Sequence, residues 1–82
     1  MNVRVLYFGA IHDRVTKVRS EMVTLESGAT VSDLLQQLNV AHPGLNKVRS
    51  HVRIAVNESI VEISEALNEG DDVALIPPVA GG

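Results

Sequence analysis

Residues 20–38 read SEMVTLESGATVSDLLQQL, and the spacing of the apolar residues changes partway along. From residue 20 to 26 apolar and polar residues alternate, with Val23 and Leu25 facing inward, which is the two-residue period of a strand. Ser27-Gly28-Ala29 breaks the pattern. Thr30 then offers a hydroxyl to cap a helix, and Asp33 stands at the reciprocal capping-box position, where Glu is the commoner partner. Val31, Leu34, Leu35 and Leu38 follow at i, i+3, i+4 and i+7, one apolar stripe of an amphipathic helix. His42-Pro43-Gly44 ends it, because the residue before Pro avoids helical backbone and Gly closes the turn.

Strand periodicity lies on both sides of this helix. In residues 2–8, Val3, Val5 and Tyr7 point one way and Arg4, Leu6 and Phe8 the other, so both faces carry apolar groups. Residues 9–18 read as a loop or a short helical turn. Beyond the helix, Val52, Ile54 and Val56 face inward and His51, Arg53 and Ala55 outward. Asn57-Glu58-Ser59 is a turn, and Ile60, Val61 and Ile63 form a short further strand. Asn68-Glu69-Gly70-Asp71 turns again, with Gly70 free to take positive φ. In the last strand Val73 and Leu75 share one face, Ala74 and Ile76 the other. The order is β-β-α-β-β-β, an α+β domain with one sheet and a helix across one face. No repeat, linker or low-complexity segment interrupts it.

The 82 residues make one domain, and the absence of Cys removes disulfides, thiolate metal sites and Cys nucleophiles together. It also fits a cytoplasmic protein. The N-terminal apolar run is too short for a signal segment or a membrane span. A net charge of −3 hides an asymmetry: residues 1–53 hold all seven Lys and Arg against four acids, and residues 54–82 hold six acids and no base. No basic stripe is visible, and two aromatics offer little to stack bases on, so nucleic acid is not an expected partner. The acids read either as solvated turns or as a face that steers a basic partner.

The side chains offer no catalytic constellation. His12, His42 and His51 are too scattered for a local metal motif. Gly9, Gly28, Gly44 and Gly70 are isolated turn glycines, not a phosphate loop. No serine sits in a nucleophile-elbow context. Asp71 and Asp72 lie in a turn, where they are expected to face water. What remains is the end of the chain, Pro77-Pro78-Val79-Ala80-Gly81-Gly82. The Pro pair removes two backbone donors and stops the strand. The Gly pair passes where a Cβ would collide. A carboxylate on so thin a tip suits delivery into a narrow site on another protein. Adenylation would make its oxygen a leaving group. Sulfur as the incoming nucleophile gives a thiocarboxylate, and a lysine amine gives an isopeptide tag. The absence of a phosphate cradle assigns the ATP chemistry to a partner.

Val5-Leu6-Tyr7-Phe8, Ala55-Val56-Asn57, Gly70-Asp71-Asp72-Val73-Ala74 and the ending from Ile76 to Gly82 together resemble the small subunit of molybdopterin synthase, over the whole chain. The resemblance implies a β-grasp, ubiquitin-like domain over residues 1–78 and a flexible tail over 79–82. It implies that a ubiquitin-activating-enzyme-like adenylyltransferase activates Gly82, with Gly81 as the narrow penultimate residue, and that sulfur is installed as a thiocarboxylate. The tail would then enter the large synthase subunit, in a heterotetramer, and pass sulfur to cyclic pyranopterin monophosphate. Phe8, Ile60 and Ile76 match apolar docking positions of the family, with Pro77, Pro78, Val79 and Ala80 alongside. Ala80 departs from the Thr or Ser associated with that place. Phe8 and Ile76 are expected on the outer face of edge or near-edge strands. The chain itself would bind no cofactor and no metal, ATP being used by the activating partner. Other readings of the same tail are a carrier for thiamine synthesis or tRNA thiolation, a ubiquitin-like modifier, and an interaction domain whose Gly-Gly is inert.

Overall fold

The structure is a computed structural model that describes residues 1–77. Five strands, β1 (Asn2–Tyr7), β2 (Ser20–Thr24), β3 (Arg53–Val56), β4 (Ser59–Val61) and β5 (Asp72–Ile76), form one sheet in the order β2-β1-β5-β3-β4. Only the β1–β5 pair is parallel. Helix α1 (Val31–Ala41) buries Val31, Leu34, Leu35 and Leu38 against the sheet's inner face, where Val3, Val5, Tyr7, Ile54, Val73 and Leu75 are buried. This mixed sheet with one crossing helix is the β-grasp architecture expected from the sequence.

The start of α1 is held as its sequence predicts. Thr30 Oγ1 accepts from Asp33 N–H at 3.3 Å, and Asp33 Oδ2 accepts from Thr30 N–H at 2.9 Å. Two further N–H groups of the first turn, of Val31 and Ser32, donate to the carbonyls of Glu65 and Ile63, each at 2.9 Å. The orphan donors of the helix end are thus met by a cap and by the segment that leads toward β5.

Several expectations need correction. A short helix α2 (Leu45–Val48) and a 3-10 turn (Arg49–His51) follow α1, and Leu45 plugs the core. Four residues are too few to show a helical period. Residues 11–16 form a π-helical turn that buries Ile11 and Thr16, in line with the loop or short helical turn read over residues 9–18. Strand β4 ends at Val61, so Ile63 lies outside it, at the loop that meets α1. Ala55 points to the outer face but is buried, because its methyl is small and it lies between Ala74 on β5 and the larger Ile60 on β4. Strand β5 is central rather than near an edge, since the parallel β1–β5 pairing inserts it between β1 and β3. Asp71 is buried and does not face water. The domain boundary after residue 78, and the tail assigned to 79–82, lie outside the described residues.

Candidate functional site: the outer sheet face and the root of the tail

Register fixes which residues share the outer face. Leu6 pairs with Ala74, Ala74 with Ala55, and Ala55 with Ile60, so one apolar row crosses four strands. Phe8 and Ile76 follow Leu6 and Ala74 by two residues along their parallel strands, and so by alternation return to the same face. These side chains border a shallow concavity of about 550 Å³, rimmed at its acidic end by Asn57, Glu58 and Asp72. Phe8 is 49% and Ile60 59% exposed, while Ile76 is half-buried. Positions 8, 60 and 76 are thus brought together around one concavity. Pro77 follows Ile76 at the end of β5. Pro78, Val79, Ala80, Gly81 and Gly82 lie outside the described residues.

The rim owes its shape to a polar network that sequence reasoning missed. Asn57 Nδ2 donates to Asp71 Oδ1 at 2.9 Å, and Asn68 N–H donates to Asp71 Oδ2 at 2.8 Å. Asn57 Oδ1 accepts from Asp72 N–H at 3.0 Å. Asn57 and Glu58 take φ of 49° and 72°, the left-handed pair of a tight hairpin turn, and Asn tolerates that backbone well. The Gly70-Asp71-Asp72 stretch therefore ties the β3–β4 hairpin to the start of β5. The signal available in the sequence was the Asn57 and Asp71 pair flanking two turns. Asp72 also holds Arg4 through both guanidinium contacts, Nε–Oδ1 at 2.9 Å and Nη2–Oδ2 at 3.1 Å. Its carboxylate raises the Arg4 pKa through the hydrogen bond and its charge. Glu69 accepts from Asn2 N–H. Three of the six C-terminal acids thus have local partners, but of these only Asp72 faces an opposite charge, that of Arg4.

A second polar cluster lies at the other side of β1. Tyr7 Oη donates to Glu21 Oε2 at 2.6 Å, and His42 Nε2 lies 2.6 Å from the same oxygen. The Tyr7 and His42 rings meet edge-on at 5.8 Å. Burial, then the neighbouring carboxylate, push the Tyr7 phenol far above its ordinary pKa. For Glu21 burial pushes upward, but the hydrogen bonds from Tyr7 and His42 outweigh it and hold the carboxyl below its ordinary value. The cluster pins β1, β2 and the end of α1 together. His12 instead pairs with its neighbour Asp13, and His51 is exposed on the 3-10 turn. Among the described residues no group of three or more His, Cys, Asp or Glu could hold a metal ion. Among them, too, no helix is long and apolar enough to cross a membrane.

The face has apolar relief and a charged rim, and among its lining residues no nucleophile stands beside a base. A profile of the ThiS family matches residues 5–82. The molybdopterin synthase sulfur carrier subunit of Mycobacterium tuberculosis is 40% identical over 82 residues, covering 100% of this chain and 99% of that protein. The crystal structure of SAMP1 from Haloferax volcanii, a small archaeal modifier protein, superposes with a TM-score of 0.89 at 31% identity, covering 100% of both chains. A chain from the complex of subunits 1 and 2 of the molybdopterin-converting factor of Helicobacter pylori superposes with a TM-score of 0.73 at 26% identity, again over 100% of both.

Proposed function

The chain belongs to the ThiS family, and from that premise we propose that it is the sulfur carrier subunit of a molybdopterin synthase. The observation that carries the reading is the apolar face of Leu6, Phe8, Ile60 and Ile76, whose last member stands next to Pro77 in sequence, where the Gly-Gly tail begins. A large synthase subunit seated on that face would receive the tail in its own active site, as the two-subunit assembly named for the Helicobacter pylori protein suggests. Two carriers and two large subunits would make the heterotetramer.

The chemistry proceeds at Gly82. A carboxylate oxygen attacks the α-phosphorus of ATP on an adenylyltransferase, and pyrophosphate leaves. A hydrosulfide equivalent takes the acyl carbon, AMP leaves, and the thiocarboxylate remains. Its sulfur then passes to cyclic pyranopterin monophosphate, and water restores the carboxylate. The chain's own part is to dock, to present a tip without side chains and to be released. ATP belongs to the partner, and the setting is the cytoplasm.

The test is the intact mass of the chain after incubation with adenylyltransferase, ATP and a sulfide source, followed by mixing with the large subunit and precursor. Replacement of one terminal oxygen by sulfur, then its loss as molybdopterin forms, is expected. Deletion of Gly82 should abolish both steps and leave the fold unchanged. A Gly82 deletion that still transfers sulfur overturns the reading. The second reading, a protein modifier, draws on the likeness to the archaeal modifier; attachment of the chain to lysines of other proteins in the same assay would favour it.

A further inference from the structure

We infer that Gly9 is a positioning residue for the tail: its missing side chain seats Pro77 and so sets the direction in which the chain leaves the sheet. This rests on the sulfur-carrier reading. Register explains why the two residues meet. Tyr7 pairs with Leu75 in the parallel β1–β5 ladder, so two residues on, Gly9 comes beside Pro77. Pro77 has no N–H to extend the ladder, and its ring packs on Gly9 instead. A Cβ on Gly9 would lie 2.9 Å from Pro77 Cγ, closer than real Cβ contacts come. Gly9 also has φ of +55°, which turns the chain away after Phe8. Gly28 and Gly70 share positive φ but have nothing within 4 Å of an added Cβ, so their role is backbone freedom alone. Gly9 alone among the described glycines combines both demands.

Pro77 converts that contact into a direction. Its ring fixes its own φ, and the proline that follows it in sequence confines its backbone to extended conformations. Two soft torsions are thus removed where the tail begins. Pro77 also borders a hollow of about 240 Å³ lined by Ile11, Val15 and Val52. A ring pushed by a side chain at position 9 has space there. The expected response is therefore a tilted Pro77, not an unfolded domain.

Gly9→Asn tests this, because Asn tolerates positive φ yet carries the offending Cβ. Three quantities are measured on the full chain: the thermal midpoint, the Kd for the large subunit, and the single-turnover rate of sulfur transfer from thiocarboxylated chain at saturating large subunit. The midpoint and Kd should stay near wild type while transfer slows about 10- to 100-fold, the scale of a misplacement of order 1 Å. Pro77→Ala in the Gly9→Asn chain should restore part of the rate, since it removes the ring that the Cβ meets but also gives up the φ restraint of proline. A nuclear Overhauser contact between Gly9 Hα and Pro77 Hγ is expected in the free wild-type chain, and its absence overturns the inference whatever the activity. Wild-type chain that transfers sulfur beside an equally fast Gly9→Asn overturns the inference alone, as does a rate loss that tracks the midpoint and is not rescued. Wild-type chain that never transfers sulfur overturns the carrier reading.

Discussion

On the inner face of the sheet Val3, Val5, Val73 and Leu75 are at most 1% exposed beneath α1, whereas on the outer face Phe8 and Ile60 stand 49% and 59% exposed. Both faces come from the same alternation of apolar side chains along β1 and β5. The difference lies in what covers them. The described residues include one long helix, α1, and its apolar stripe is spent on the inner face. Leaving the outer apolar face open gives up the stabilisation of its burial, roughly 25 cal/mol per Å², within the monomer. That free energy becomes available when a partner covers the face. One face therefore holds the fold and the other is free to carry association, and substitutions should separate the two.

The largest effect is expected from Leu34→Ala, which empties a fully buried site between α1 and the sheet. Denaturant titration should show a loss of about 2–5 kcal/mol. A loss well below that range would break the contrast, since the inner face would then not be the part that holds the domain. Next come Phe8→Asp and Ile76→Asp. Each should weaken binding of the large subunit by roughly 2 kcal/mol or more if it is a central anchor, while Phe8→Asp leaves the thermal midpoint near wild type. Calorimetry that finds both unchanged would remove docking from the outer face.

Asp71→Ala sharpens the comparison at the rim. It leaves Asn57 Nδ2 and Asn68 N–H without their acceptor. Two hydrogen bonds lost at about 0.5–1.5 kcal/mol each amount to about 1–3 kcal/mol, and the loss should appear in unfolding before it appears in binding. The smallest effect, about 1 kcal/mol, is expected from Tyr7→Phe, which deletes the hydrogen bond to Glu21. Its pH dependence has a defined sign. The Glu21 carboxyl titrates lower in the folded chain than its ordinary 4.5, so its contribution is present above 4.5 and is lost as acid carries the pH through the folded value. The Tyr7 phenol titrates higher than its ordinary 10.0, so its contribution is present below 10.0 and is lost as alkali ionises the unfolded chain. Thermal midpoints that are flat through both windows would show that the cluster does not stabilise the fold.

Much of this molecule was legible from residue order, because helix and strand periods are local properties of the backbone. The stripe of Val31, Leu34, Leu35 and Leu38, the Thr30–Asp33 cap, the inward Val3, Val5 and Tyr7, and the alternation in Val73–Ile76 each depend on residues a few positions apart. Pairing across the sheet was not legible, because it joins residues tens of positions apart and no local period encodes which strand lies beside which. Only the tertiary structure put β5 at the centre, and with it Phe8, Ile60 and Ile76 on one surface. The burial of Asp71 was decided in the same way, since the carboxylate is held by Asn57 from another hairpin. Gly9 read in sequence as one more turn glycine. Its contact with Pro77, sixty-eight positions away, exists because two parallel strands end side by side.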